Sequence, residues 1–400
     1  MLNQDSFFKD YFKGSKKYKD NLKKTKKIYN SFLKDLEDFK FPVLESYKKD
    51  YQFDFSTKTI KKFLKYKNII IIGMGGSILG TKSIYGILKK KIKKNVFFFD
   101  NLDLNLKYKK IKNLKNSCFI VISKSGNTLE TLTNLNITFS KNLLKNKLII
   151  ISEIKDSVLI NIANKYNAEI IEHKEFISGR YSVLSESGMF PSALMGLNLM
   201  KFKNLKNLIK KESFVSSLIK NVASIYTLYR KGMNNCVILN YDSSFNDLSF
   251  WYQQLVAESL GKRGKGINPI LSFGPKDHHS LLQLYLDGPK DKFFTFFSFY
   301  GEKNKSNFNK KIIISDLKFL KNKNLQFIIN SQRNAVKNIF KLKKIPFREI
   351  IFNKKDESNL GEVFTFFVLE TILLSRLMKV DPFDQPAVEQ VKIETKKLLR

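Results

Sequence analysis

Short, continuous runs of apolar residues alternate with helix-like segments along most of the chain. In the first half these runs are Asn68–Ile72, Val96–Phe99, Cys118–Ser123, Lys147–Ser152 and Glu169–Glu172. The pattern restarts after about residue 205 with Cys236–Asn240, Phe293–Tyr300, Gln326–Asn330 and Arg348–Phe352. Parallel strands that are buried on both faces have uninterrupted apolar runs and need helical crossovers between them. The pattern predicts an α/β protein with two doubly wound domains and mainly parallel sheets.

Two further segments flank the predicted α/β domains. The first 65 residues are rich in lysine with sparse apolar positions such as Phe32 and Leu36, which predicts N-terminal helices. An apolar helix from Gly361 to Lys379 closes the second domain, and Pro386 suits the first turn of a C-terminal helix. The predicted division is an N-terminal helical region at 1–65, a first domain at 66–204, a second at 205–380 and the C-terminal helix at 381–400.

The composition is that of a folded chain with a strong positive charge. Hydrophobic residues make up 43% of the 400 residues, and 18 Gly, 8 Pro and 2 Cys exclude collagen-like and disulfide-stapled chains. A net charge of +36 could indicate nucleic acid, an anionic membrane surface or an acidic substrate as a partner. Seven of the 72 basic residues are arginine and the rest lysine, a residue that shares AT-rich codons with the abundant Asn, Ile and Phe. Base composition therefore explains the charge better than nucleic-acid recognition, which favours arginine.

The sequence also predicts a compartment. The N-terminus carries Asp5 and Asp10 and no apolar signal core, and no run reaches the roughly 18 to 20 apolar residues of a membrane span. Cys118 and Cys236 lie in or beside apolar runs, as small buried hydrophobic residues do. We expect a cytoplasmic protein with no membrane partner.

Two polar loops follow predicted strands and have the chemistry of phosphate sites. The first runs Gly73-Met74-Gly75-Gly76-Ser77-Ile78-Leu79-Gly80, and the second runs Ser123-Lys124-Ser125-Gly126-Asn127-Thr128-Leu129-Glu130-Thr131. Glycines, hydroxyl groups, backbone N–H groups and a helix N-terminus together suit a phosphate monoester dianion. Helix capping alone is the alternative, but it explains only one or two of the hydroxyls.

The first loop also invites comparison with a dinucleotide-binding fingerprint. Asp100 ends a predicted strand at a position where a ribose-binding acid would lie. The third glycine of that fingerprint would fall at position 78, which is Ile78. This departure weakens the dinucleotide interpretation.

Two residues have the properties of catalytic groups. Leu248, Trp251 and Leu255 lie on one face of a helix closed by Gly261, and Glu258 continues that apolar stripe. A carboxyl on a core-facing stripe would have its pKa raised by burial, which suits a general base, whereas the alternative is pairing with Lys262. Arg180, one of few arginines, follows a glycine, which favours a functional residue over the alternative of a surface arginine.

Two of the three histidines, His278 and His279, are adjacent, and their spacing makes a poor metal site. Lys392, on the C-terminal helix, shares a face with Val388, Thr395 and Leu399. That pattern predicts that the ammonium group is held against the protein body. An ordinary solvated lysine is the alternative.

Five segments together carry a resemblance to a known family. The loop at 123–131 resembles the sugar-isomerase (SIS) fold, and four more segments resemble motifs of the phosphoglucose isomerase family, at 178–182, 254–262, 279–283 and 382–392. The resemblance covers roughly residues 65 to 395. The sequence departs from the family pattern at Ser178 and Ala387, each in place of glycine, and at His278, in place of glutamine.

The resemblance implies an aldose–ketose isomerase of glycolysis and gluconeogenesis that interconverts glucose 6-phosphate and fructose 6-phosphate without a metal or cofactor. It assigns proton transfer between C1 and C2 to Glu258, stabilisation of the enediolate to Arg180, and ring opening to His279 and Lys392. The substrate-binding residues that it implies are Gly76, Ser77, Ser123, Lys124, Ser125, Thr128 and Gln254.

The resemblance also implies a homodimer in which the partner subunit contributes the histidine. Two alternatives stay open on the sequence. One is a non-catalytic sugar-phosphate sensor that binds nucleic acid through its basic surface, although no separate DNA-binding module is recognisable. The other is an isomerase for a different hexose phosphate, such as mannose 6-phosphate.

Overall fold

The computed structural model describes residues 3–104, 114–138, 147–300 and 315–399. Ten strands lie within these ranges. They are β1 (Asn3–Ser6), β2 (Asn68–Gly73), β3 (Asn95–Phe99), β4 (Ser117–Ile122), β5 (Leu148–Ser152), β6 (Glu169–Glu172), β7 (Asn235–Asn240), β8 (Asn268–Phe273), β9 (Lys292–Phe299) and β10 (Phe347–Phe352).

Helices connect and cover these strands. In chain order they are α1 (Phe8–Tyr11), α2 (Lys16–Glu37), α3 (Thr57–Leu64), α4 (Leu79–Leu88), α5 (Leu129–Thr138), α6 (Val158–Tyr166), α7 (Glu186–Leu194), α8 (Leu199–Phe202), α9 (Leu205–Leu208), α10 (Glu212–Tyr229), α11 (Asn246–Leu260), α12 (Leu282–Asp287), α13 (Leu325–Leu342), α14 (Glu357–Met378) and α15 (Ala387–Leu398). Short 3₁₀ turns include Gly75–Ser77, Gly179–Leu184 and Lys276–His279.

The first sheet has the strand order β3-β2-β4-β5-β6, and all its pairings are parallel. Every residue of β2, β4 and β5 is buried, because helices cover both faces. The chain leaves β2 for β3 on one side and returns to β4 on the other side. Ligands of doubly wound sheets bind at the carboxyl ends of the strands, where the winding direction changes. Here both predicted phosphate loops lie at that point, since one follows β2 and the other follows β4.

The second sheet has the strand order β1-β10-β9-β7-β8. Strands β7 to β10 are parallel, and β1 joins the edge antiparallel, with Asn3 opposite Ile351. The prediction of an α/β protein with two mainly parallel sheets, N-terminal helices and a C-terminal helix is confirmed.

One strand prediction is wrong. The run Gln326–Asn330 lies inside α13, which begins after Asn324, whose side chain accepts a hydrogen bond from the Phe327 backbone N–H at 2.8 Å. A short apolar run cannot distinguish a strand from a helix face, and the buried positions Val336 and Phe340 continue the helical period. Strand β8 was not predicted, because Pro269 interrupts its apolar pattern. Since β8 is an edge strand, it tolerates the backbone N–H group that proline lacks.

The two α/β units pack together through α4 and α11. Ser83 Oγ donates a hydrogen bond to the Asp247 carbonyl oxygen at 2.8 Å. Lys82 Nζ lies 2.6 Å from Asp100 of the first unit and 3.4 Å from Asp247 of the second. These contacts hold the first turns of α11 beside the first sheet and direct the rest of the helix across the loop that follows β2. Among the described residues, no helix is long and apolar enough to cross a membrane.

Candidate active site

The loop after β2 and the turn Gly179–Leu184 touch through their backbones. A Cβ atom added to Gly76 would lie 2.2 Å from the Gly179 carbonyl carbon and 2.5 Å from the Arg180 nitrogen. Gly75 has φ +51°, a left-handed conformation that glycine adopts without strain. Ser182 Oγ donates to the Gly179 carbonyl at 2.8 Å, which closes the turn. The glycines are therefore needed for a close approach that brings Arg180 to the carboxyl ends of β2 and β4.

We predict that Gly76→Ala lowers the thermal unfolding midpoint, because the new methyl group must push the 179–180 backbone aside. Overpacking of this kind costs about 1–3 kcal/mol. Gly179→Ala is the matched control, since its Cβ would meet nothing nearer than Gly76 Cα at 3.6 Å. Calorimetry that found the two variants equally stable would contradict this account of the glycine contact.

The Arg180 side chain is buried, with 1% of its surface exposed, and hydrogen bonds hold its guanidinium group from several sides. Nη2 donates to the carbonyl oxygens of Pro382 and Asp384, and Nη1 donates to Gln385 Oε1 at 3.0 Å. Nη1 also lies 3.3 Å from Glu258 Oε2. The alternative of a surface arginine is wrong: Arg180 is a fixed cation directed at Glu258.

A second group of side chains fixes the Arg180 guanidinium from behind. Arg180 Nε donates to Ser259 Oγ at 2.9 Å, and the Tyr181 hydroxyl lies 2.9 Å from the same oxygen. Burial raises the pKa of Tyr181 to about 12, so its hydroxyl stays protonated and donates to the Pro382 carbonyl at 3.2 Å. The segment 381–384 is tied down separately, because Lys262 Nζ pairs with Asp384 at 2.6 Å.

Glu258 lies at the C-terminal end of α11 and is 29% exposed, so its predicted burial in the core is wrong. Leu248, Trp251 and Leu255 are buried as predicted, but the last turn of the helix emerges from the core at the cleft. The alternative partner Lys262 binds Asp384 instead. Glu258 therefore faces the cleft, with one oxygen near Arg180.

Gln254 completes this part of the cleft. Its Nε2 donates to Glu258 Oε1 at 2.8 Å, and the same nitrogen lies 2.9 Å from an ideal Cβ position on Gly75. Gln254 Oε1 is buried and has no hydrogen-bond partner among the described residues. The amide thus orients the carboxylate and leaves one acceptor unused beside the glycine loop.

The loop after β4 presents the predicted phosphate-binding hydroxyls. Ser123 Oγ and Thr128 Oγ1 are 2.7 Å apart, and Ser125 Oγ accepts from the Asn127 N–H at 3.3 Å. Gly126, at φ +69°, turns the chain between them. Lys124 Nζ donates to the Glu175 carbonyl at 2.6 Å and lies 3.6 Å from Glu153. The hydroxyls are clustered as predicted, whereas the lysine is already engaged by groups of its own chain.

Asp100 does not act as a free ribose-binding acid, because it pairs with Lys82 at 2.6 Å. With Ile78 at the third glycine position, this pairing argues further against a dinucleotide site.

The two remaining candidates lie apart from Arg180 and Glu258. His279 ends the 3₁₀ turn after β8, and no hydrogen bond or ion pair joins it to Arg180 or Glu258 within the described ranges. Its neighbour His278 shares a 2.6 Å hydrogen bond with the Tyr241 hydroxyl, and burial lowers the pKa of this imidazole. Tyr241 directly follows β7, so His278 is held by a structural hydrogen bond at the end of that strand.

Lys392 is 63% exposed and pairs with Glu389 on its own helix at 2.9 Å. The prediction that its ammonium is held against the body is wrong for the single chain. No residue of α15 is buried, and apolar side chains such as Val391 and Leu398 are 69% and 82% exposed. The apolar stripe of this helix is real, but no part of the described chain covers it.

Sequence reasoning missed three residues that position the cleft, namely Tyr181, Ser259 and Gln385. Each lies next to or within a motif that was recognised, and adjacency to Arg180, Glu258 and Pro386 was the available signal. Their roles depend on contacts between segments about 80 and 200 residues apart, since Arg180 reaches both Ser259 and Gln385.

The chain is similar in sequence to known proteins over most of its length. The profile of the family described as phosphoglucose isomerase matches residues 52–400. The chain is 34% identical to the glucose-6-phosphate isomerase of Methanocaldococcus jannaschii, over 86% of this chain and 87% of the relative. It is 30% identical to that of Campylobacter jejuni, over 83% and 85% of the two chains.

Solved structures share the fold. A hypothetical protein from Thermus thermophilus superposes with a TM-score of 0.83 at 20% identity and 100% coverage of both chains. A glucose-6-phosphate isomerase from Chlamydia trachomatis gives a TM-score of 0.71 at 17% identity, covering 86% of this chain and 71% of its own.

Proposed function

This chain belongs to the phosphoglucose isomerase family, and from that premise we propose that Glu258 and Arg180 carry out its aldose–ketose isomerisation. The reaction interconverts glucose 6-phosphate and fructose 6-phosphate. The observation that carries the residue assignment is the buried guanidinium of Arg180 directed at the partly exposed Glu258, 3.3 Å away, beside the loops that follow β2 and β4.

Glu258 is the proton carrier of the proposed mechanism. Its carboxylate takes the proton from C2 of the open-chain aldose, and the electron pair moves to the carbonyl oxygen at C1 to give a cis-enediolate. The hydroxyl proton passes from O2 to O1 of the enediolate, and the same carboxyl returns its proton to C1 as the C2 carbonyl forms, which yields the ketose with no net change in protons. Gln254, donating at 2.8 Å, keeps the carboxylate oriented for both transfers.

Arg180 supplies the electrostatic part of the proposed mechanism. A cation held in place before the reaction stabilises developing oxyanion charge without reorganisation cost. Hydrogen bonds to Pro382, Asp384, Gln385 and Ser259 hold the guanidinium in place before substrate arrives. Glu258 Oε2 lies near only one guanidinium nitrogen, Nη1, so substrate oxygens can compete with Glu258 for a hydrogen bond from that nitrogen.

The sugar phosphate is anchored by the loop after β4 in this proposal. Ser123, Ser125 and Thr128 present hydroxyls at a helix N-terminus, which favours a dianion. Gly76 and Ser77 contribute from the turn at the neighbouring strand end through the Gly76 N–H and the Ser77 hydroxyl, since the Ser77 N–H already donates to the Met74 carbonyl at 3.1 Å. The Lys124 ammonium adds positive charge beside this loop. It already donates a hydrogen bond to the Glu175 carbonyl oxygen.

A homodimer completes the proposed site. His279 forms no hydrogen bond or ion pair with Arg180 or Glu258 within the described part of one chain, and Lys392 is exposed on an amphipathic helix of which no residue is buried. Both facts fit ring-opening groups that reach the cleft only after a second copy binds.

A cytoplasmic location is proposed from the sequence.

Hybrid dimers test the shared site. If Glu258 of one copy works with His279 of the other, mixing E258Q with H279N produces hybrids that each have one intact site. Random association then restores about a quarter of wild-type activity, although each parent is inactive. No recovery after refolding the two variants together would contradict a site shared between subunits.

A coupled assay tests the function itself and its substrate range. We expect turnover of glucose 6-phosphate and fructose 6-phosphate, measured beside mannose 6-phosphate and glucosamine 6-phosphate. Pure protein that turns over mannose 6-phosphate faster than glucose 6-phosphate would overturn the substrate assignment. Absence of any isomerase activity would overturn the function.

A further inference from the structure

The turn that carries His279 is attached to the second sheet at several points, whereas His279 itself faces solvent. The 3₁₀ turn Lys276–His279 follows β8, and the His279 side chain is exposed. Among the residues that the structure describes, none forms a hydrogen bond or an ion pair with its imidazole. A ring-opening group must still point in a fixed direction, because misplacement by about 1 Å can cost about 100-fold in rate. That direction must come from the residues around His279.

Asp277 fastens the turn to the end of β8. Its Oδ2 accepts hydrogen bonds from the Phe273 N–H at 2.7 Å and from Ser272 Oγ at 2.9 Å, and its Oδ1 accepts from Ser280 Oγ at 3.1 Å. Ser272 and Phe273 are the last two residues of β8, and Ser280 directly follows His279. One carboxylate thus joins the strand end to the residue after His279.

Tyr241 fixes the other side of the turn. It directly follows β7, its side chain is buried, and its ring stacks on Phe296 with the ring centres 6.2 Å apart. Tyr241 Oη and His278 Nε2 share a hydrogen bond of 2.6 Å, and the two rings meet edge to face with their centres 5.6 Å apart. A Cβ atom added to Gly274 would lie 2.6 Å from the Tyr241 ring, so the chain that enters the turn also packs directly against this ring. Tyr241 therefore connects His278 to the core around the second sheet.

The geometry of the turn links the two adjacent histidines. Successive residues of a 3₁₀ turn are about 120° apart around its axis, so His278 and His279 point in different directions. His278 is half-buried and contacts Tyr241, while His279 is exposed. Burial lowers the pKa of His278 and raises the pKa of Tyr241, so both side chains are uncharged at neutral pH. His278 is thus an anchor of the turn and not a second acid beside His279.

We propose that Tyr241 and His278 are positioning residues for His279, and that their hydrogen bond sets the direction in which the His279 imidazole leaves the turn. This inference rests on the proposed function, in which His279 opens the sugar ring in the cleft of a second copy. Neither Tyr241 nor His278 touches the sugar; both act through the turn that carries His279. Asp277 holds the two ends of the turn, and the bond to Tyr241 fixes how the turn is rotated between them.

Ring opening measured by itself tests the positioning residues. All variants are made in the full-length E258Q protein, in which proton transfer is blocked. NMR exchange spectroscopy then follows the interconversion of the fructose 6-phosphate anomers above its spontaneous rate. Tyr241→Phe keeps the ring packing and removes the hydrogen bond to His278, and we expect it to lower the catalysed rate about 10-fold.

Tyr29→Phe is the matched control for this substitution. The Tyr29 hydroxyl donates a hydrogen bond to the Ile209 carbonyl at 3.2 Å, and its ring belongs to a different part of the core from Tyr241. The same chemical change there should leave the catalysed rate within about twofold of the E258Q parent, because distant sites act independently. Equal rates in Y241F and Y29F would overturn the proposal.

Variants at His278 separate positioning from chemistry. Glutamine can donate and accept hydrogen bonds without titrating, so His278→Gln should keep the bond to Tyr241 and a rate within about threefold of the parent. His278→Ala loses the bond and should lower the rate about 10-fold, which also gives the answer if Y241F lacks a cooperative unfolding transition. Equal losses in H278Q and H278A would show that the imidazole itself takes part in the reaction, and would overturn the positioning role.

Failure of the proposed function has a different outcome in the same experiment. An E258Q parent that did not accelerate anomer interconversion would remove the ring-opening role of His279, and with it the role of Tyr241 and His278. A parent that accelerates it, with Y241F and H278A unchanged, would overturn the positioning role alone.

Discussion

Replacing Glu258 by glutamine is expected to lower kcat for fructose 6-phosphate isomerisation by about 10³-fold, within the range for loss of a general base, and to change KM less than about threefold. The amide cannot accept the C2 proton, yet it fills the same space and still accepts a hydrogen bond from Gln254. Arg180 keeps its bonds to Ser259, Pro382, Asp384 and Gln385, so the cleft stays folded.

Glu394→Gln is the matched control for this substitution. Glu394 is an exposed carboxylate that pairs with Lys397 on α15, and it makes no contact with Arg180 or Glu258. The same chemical change there should leave kcat within about twofold and the unfolding midpoint unchanged. A kcat for E258Q within about tenfold of wild type would remove Glu258 from the role of base.

Replacing Arg180 by lysine is expected to lower kcat/KM by about 10²-fold to 10³-fold, chiefly through kcat. Lysine keeps one positive charge but cannot direct separate nitrogens at Ser259, Gln385 and the Pro382 carbonyl while facing the enediolate. The remaining ammonium is therefore poorly placed when the oxyanion develops.

Loss of Arg180 could also act by releasing the 381–385 segment, and Lys262→Met distinguishes the two effects. Lys262 anchors the same segment through Asp384 and the Asp381 carbonyl, without contacting Glu258. We expect K262M to lower the unfolding midpoint while kcat changes less than about fivefold. If K262M reproduced the full kinetic loss of R180K, Arg180 would be a structural tether.

The local sequence pattern was sufficient to predict most of the fold. Apolar runs such as 68–72 and 118–123 became β2 and β4 because strands covered on both faces need continuous apolar residues. The positions of the two polar loops at the ends of these strands could also be predicted, since their glycines and hydroxyls adjoin β2 and β4 in sequence. Phosphate binding by these loops stays a prediction. The run 326–330 failed because five residues do not define a period, and α13 is set by positions further along.

The details of the cleft depend on tertiary contacts that no local pattern encodes. The helical stripe ending at Glu258 predicted a buried carboxyl, but α11 reaches the cleft in its last turn, where Arg180 arrives from a loop 78 residues earlier. The apolar face around Lys392 predicted contact with the body, whereas α15 stands exposed. An amphipathic pattern predicts that a face will be covered, and it does not specify what covers it.

Deuterium exchange tests the central claim, that Glu258 carries the proton between C1 and C2, most directly. Fructose 6-phosphate is incubated in D₂O with wild type or E258Q, and NMR follows both deuterium incorporation at C1 and the interconversion of the ring anomers. The account predicts rapid incorporation with wild type, and incorporation about 10³-fold slower with E258Q while ring opening continues. Incorporation by E258Q at the wild-type rate would show that another group is the base.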